Sequence, residues 1–125
     1  MGVFDLSGSG WGNDNKFGAY MDSNAGYGLV YYPTVATTGT WYFVVIEQDT
    51  VALQVKISVN GSSLNGNGWN GPQTATGNVF VGGNAAATEV ADGVIDEVGI
   101  WKKCLTAGEV TTLYNGGAGV TYPFP

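Results

Sequence analysis

A chain of 125 residues fits one domain and can bury roughly two thirds of the surface its unfolded form exposes, so it needs neither metal nor disulfide merely to fold. Ten acidic residues against four lysines, with no Arg and no His, give a net charge of −6; that is the wrong sign for a nucleic-acid partner, and it removes the commonest general base and zinc ligand. A single cysteine, Cys104, excludes an intrachain disulfide, and no run of about 18 apolar residues offers membrane insertion.

Residues 1–15 are rich in Gly, Ser and Asn, with Val3, Phe4, Leu6 and Trp11 as the only large apolar groups, and read as a loosely structured arm. No basic segment precedes a long apolar one, so no signal peptide is read in the chain as given. Residues 16–125 read as one domain. Its first two runs, 16–21 and 27–32, are aromatic, separated by the turn-forming cluster 22–26; they are expected to pair as strands, with Pro33 closing the second.

Residues 40–47 are β-branched and aromatic without polar alternation, which suits a central strand covered on both faces. In residues 51–59 every odd position is apolar while Gln54, Lys56 and Ser58 fall between, the period of a half-buried strand, so residues 48–50 are expected to form the hairpin between the two. Asn60-Gly61 predicts a tight turn with positive φ. Residues 62–77 are too rich in chain breakers for regular structure, and 78–82 and 93–102 supply two further strands. Thr106 and Glu109 have capping-box spacing and Leu105 and Val110 staple spacing, so a helix of about two turns is predicted there, stopped by Gly116-Gly117.

Three ordered segments carry a family resemblance: residues 40–45 (Thr-Trp-Tyr-Phe-Val-Val), the strand end Ser58-Val59-Asn60-Gly61, and residues 93–101 (Gly-Val-Ile-Asp-Glu-Val-Gly-Ile-Trp) followed by the short helix. Together they resemble the C-terminal half of the laminin G-like, concanavalin A-like lectin/glucanase superfamily, of the bacterial or phage type. The resemblance implies an all-β fold, a two-sheet antiparallel jelly-roll sandwich with one short C-terminal helix. Members usually carry an aromatic N-terminal strand that residues 1–15 do not match, and only about seven strands can be counted, so a sheet edge is expected to be covered by another protein chain, self or larger assembly.

The site residues follow from chemistry and from that resemblance. Glu47 and Asp49 have the Glu-x-Asp spacing of some glucanases of this fold, but Ala52 stands where the third carboxylate belongs, and Asp49 reads as a turn residue; no catalytic residue is assigned. Trp69 lies between Asn67 and Asn70 in a loop without apolar neighbours. An indole face stacks on a pyranose while amides bind its hydroxyls, so Trp69, Asn67 and Asn70, with Trp11, form the candidate carbohydrate site; the competing expectation is that Trp69 folds back over the sandwich edge. Asp96, on a strand face shared with Val94, Val98 and Ile100, is the candidate calcium ligand that the resemblance implies, helped by Asp92, beside a purely structural role; no cofactor is required. Trp41, Trp101 and Cys104 read as core. The expected function is a non-catalytic recognition module, binding a glycan or a surface, extracellular or on a virion; the alternative is an architectural virion or assembly protein, and a remote one is a fragment of a glycoside hydrolase.

Overall fold

The computed structural model describes residues 16–23, 26–71, 80–83, 86 and 90–123. The arm at 1–15, with Trp11, lies outside the described residues. The remainder is a two-sheet antiparallel sandwich with one short helix, as the sequence implies.

Strands β1 (Lys16–Ser23) and β2 (Gly26–Val35) form an antiparallel hairpin with Ser23 opposite Gly26 and Gly18 opposite Tyr31. Pro33 does not close β2, which runs on to Val35. A proline lacks a ladder donor, and Pro33 falls where the β1–β2 register shifts, between the Gly18–Tyr31 and Lys16–Val35 pairs, an irregularity that tolerates that loss.

The second sheet holds β3 (Val44–Asp49), β4 (Gln54–Val59) and β5 (Asn65–Gly68), all antiparallel in the order β3-β4-β5. β3 starts at Val44 because Asn60 takes over the edge just before it: its Oδ1 accepts the Phe43 N–H at 3.0 Å while its own N–H donates to the Phe43 carbonyl at 2.8 Å. Trp41 therefore lies outside the strand, 67% exposed and not core. The hairpin turn is wider than residues 48–50. Asp49 Oδ1 accepts the N–H groups of Val51 and Ala52 at 3.0 and 2.8 Å, folding 50–53 into the turn and leaving Val51 and Leu53 exposed.

Asn60 and Gly61 both take positive φ, 52° and 70°, and Ser62 N–H closes the turn on Val59 O at 3.1 Å. Beyond this turn the chain departs from expectation, because residues 65–68, read as irregular, form β5. A ladder is made by backbone groups, and two side-chain amides fix this glycine-rich piece: Asn65 donates to Tyr31 O at 3.0 Å and Asn67 to Leu29 O at 2.8 Å, linking the second sheet to β2.

Between the sheets lies the main core of Phe17, Ala19 and Met21 from β1, Val30 from β2, and Val55, Ile57 and Val59 from β4, closed by Trp69. The alternation of β4 delivers its three apolar side chains to this face. On the opposite face of the second sheet Val45 packs with Leu105, Val110 and Leu113, flanked by Phe43, Trp101 and Val120.

Helix α1 (Ala107–Tyr114) covers that face. Thr106 Oγ1 accepts the Glu109 N–H at 3.3 Å and Glu109 Oε2 accepts the Thr106 N–H at 2.8 Å, while Leu105 and Val110 are buried at the staple positions. Lys103 pairs with Glu109 and, with the Thr106 N–H and the Thr106 hydroxyl that both donate to Oε2, holds its carboxyl down to about 2. Thr106→Ala should cost about 1 kcal/mol, read as a fall in urea midpoint at unchanged m. An unchanged midpoint would show that α1 is held by its apolar face alone.

Residues 93–102 are not a strand, and of 78–82 the described part, 80–82, lies in none; only an isolated bridge joins Gly83 to Val90. Five strands stand among the described residues.

Candidate functional site

Glu47 and Asp49 project from β3 toward the helix side of the second sheet, where Glu47 is paired across the ladder with Lys56. Glu47 is 5% exposed and its Oε1 accepts the Leu105 N–H at 2.8 Å, so the carboxylate latches the segment that leads into α1. Its Oε2 is buried without a hydrogen-bond partner among the described residues. Burial pushes the Glu47 carboxyl above its ordinary range, against the lowering effect of the Leu105 N–H and Lys56. Asp49 is shifted the other way, by the Ala52 N–H and by Lys56, whose Nζ lies 2.6 Å from Oδ2.

This arrangement is unsuited to hydrolysis. A general acid must reach a glycosidic oxygen and its partner must face the same sugar. Here one carboxylate lies beneath Leu105 and the other is committed to a turn and a lysine. Cys104, expected to be buried, is exposed, and its thiol donates to Gln48 O at 3.7 Å. Desolvation of that thiol, followed by Glu47 and Asp49, raises its pKa and so keeps it protonated.

Among the described candidate sugar residues, Trp69, Asn67 and Asn70 do not form a stacking platform. Trp69 is 3% exposed, inside the main core, and its backbone N–H donates to Leu53 O at 2.8 Å; folding back is what the structure has. Gly28 makes this burial possible, since a Cβ there would fall 2.8 Å from Trp69 Cβ and 3.0 Å from Val55 Cγ1. Asn67 spends its amide on Leu29 O and its carbonyl oxygen on the Gly68 N–H, whereas Asn70 is exposed with its amide beside Gly26. No signal within residues 65–71 could have shown this, because the groups that bury Trp69 come from β1, β2 and β4.

Asp92 and Asp96 are exposed, and Asp96 Oδ1 accepts the Glu97 N–H at 2.8 Å. No group of three or more potential metal ligands gathers among the described residues. The apolar face that Asp96 was expected to share is on the surface: Val94, Val98 and Ile100 are all exposed, Ile100 by 78%. Trp101 is half-buried and packs on the helix cluster. The segment is thus an apolar rim with acidic side chains, anchored at one end by Trp101.

Two antiparallel sheets closed over one core, with a helix on the outer face of the second, define a sandwich of the lectin-like class. The sequence profile of the concanavalin A-like lectin/glucanases superfamily matches residues 6–111, and the chain belongs to that superfamily. Among solved structures, an S-layer domain-containing protein (residues 221–444) from Clostridium thermocellum is similar over 91% of this chain at 20% identity, with a TM-score of 0.56. This chain spans 62% of the length of that one. No curated protein matches the sequence. Among the described residues, no helix is long and apolar enough to cross a membrane.

Proposed function

We propose that this chain is a non-catalytic recognition module of an extracellular or particle-surface protein, of bacterial or phage origin, and that it works by associating with another protein chain. The observation that carries the reading is the apolar rim of Val94, Val98 and Ile100, exposed on a chain whose Glu47 and Asp49 carboxylates are committed to structure. Water-exposed valine and isoleucine in a β-prone segment are costly unless something covers them. The likeness to an S-layer domain-containing protein supports the surface location.

A second reading, glycan recognition, is favoured by Trp41, whose exposed indole offers the stacking face that Trp69 does not. Two measurements test the main reading. Incubation with β-glucans, galactans and chitosan should release no new reducing ends, and antibody raised against the chain should label the exterior of producing cells or particles. Turnover abolished by Glu47→Gln, or labelling confined to the cytosol, would overturn it.

A further inference from the structure

Resting on the association reading above, we propose that residues 96–102 form an edge that pairs antiparallel with the same residues of a second copy. The order of side chains along the rim carries the proposal. Exposure alternates from Val98 to Lys102: Val98, Ile100 and Lys102 are exposed, while Gly99 and Trp101 between them are partly buried. That is the two-residue period of a strand with one face against the molecule and one open. Val98, Gly99 and Ile100 make no hydrogen bond among the described residues, so their backbone donors and acceptors are available for a ladder.

The open face reads Asp96, Val98, Ile100, Lys102: acid, apolar, apolar, base. Turned about a twofold axis through Gly99, this order is its own complement. Asp96 then stands opposite Lys102 of the second copy, Val98 opposite its Ile100, and each pair occurs twice. Any antiparallel pairing in one sheet about such an axis must place residues of equal parity opposite each other, and this register satisfies that rule. Gly99 meets its counterpart on the axis; the Trp101 ring of each chain lies across its own Gly99, in the space a Cβ would need.

Charge decides the occupant. Lys102 has no ion pair among the described residues, whereas Lys103 is held by Glu109. The chain's own first fifteen residues contain Asp5 and Asp14 and no lysine, so they could face Lys102 but would leave Asp96 without its match in this register. Glu97 sits at φ 50°, a left-handed conformation that pairing would return to the extended region, freeing Asp96 Oδ1 from the Glu97 N–H to meet Lys102.

Sedimentation equilibrium on the full chain, from about 1 to about 500 μM, should show a dimer. Lys102→Asp and Asp96→Lys each set like charges opposite twice and should weaken it about tenfold or more, while the double variant should recover wild-type affinity to within about threefold. Far-UV circular dichroism and melting curves of the same variants separate lost pairing from lost folding. Zero-length carbodiimide coupling should join Asp96 to Lys102 between copies. A wild-type monomer throughout, single variants that dimerise normally, or coupling of Lys102 to Asp5 or Asp14 would each overturn the proposal. External labelling with a monomeric chain would fail only this inference; cytosolic labelling with an intact dimer would fail only the surface reading.

Discussion

Trp69→Ala should destabilise the fold by about 3–5 kcal/mol, lowering the melting temperature by roughly 10–20 °C in a chain of this size. The indole closes the main core beside Val55, Ile57 and Met21, so its removal leaves a cavity that a close-packed sandwich relaxes into only partly. Gly28, in contact with Trp69 Cβ, belongs to β2 and is held by that strand's ladder with β1, which limits collapse into the space. Trp41→Ala serves as the control, because an indole 67% exposed should change stability by no more than about 0.5 kcal/mol. Thermal melts followed in the far ultraviolet distinguish the two. A loss below about 1 kcal/mol for Trp69→Ala would mean that the side chain is not core, and would restore it as a sugar platform.

Glu47→Ala should cost about 2–3 kcal/mol, since it strips the buried Leu105 N–H of its acceptor and empties space between β3 and the start of α1. Glu47→Gln keeps the acceptor and the stem, and its effect should depend on pH. The folded carboxyl is raised above its ordinary value of 4.5, chiefly by burial. The stabilising contribution of its protonated form is therefore full below the unfolded pKa and is lost as pH rises through the folded one. As pH rises above about 4, wild type should lose stability relative to the Gln variant, and the difference should level off once Glu47 is ionised in both states. Lys56, Asp49 and Cys104 face the same region, so the comparison is best made on denaturation midpoints of the two proteins in matched buffers. Parallel pH profiles would show that Glu47 carries no charge penalty in the folded state.

Which features were legible in the sequence depended on how far apart the interacting groups lie. The apolar period of β4 announced its buried face, because alternation is a property of the strand itself, and Val55, Ile57 and Val59 all reach the core. Asn60-Gly61 specified its turn through local φ preference, and Thr106 with Glu109 specified the helix start through bonds that span three residues. The superfamily was readable from three ordered segments, although one of them, residues 93–101, carries no strand here.

The tertiary structure decided the rest. Residues 65–68 became a strand because β4 offered a ladder and Tyr31 and Leu29 offered carbonyls to Asn65 and Asn67; none of these is near in sequence. Trp69, without an apolar neighbour along the chain, found them in three other strands. Glu47 became a latch because Leu105, 58 residues away, presents its N–H there. Residues 93–102 have the composition of a buried strand, but a strand needs a partner ladder as well as propensity. No described strand pairs with them, so Val98 and Ile100 face outward while Trp101 alone turns in.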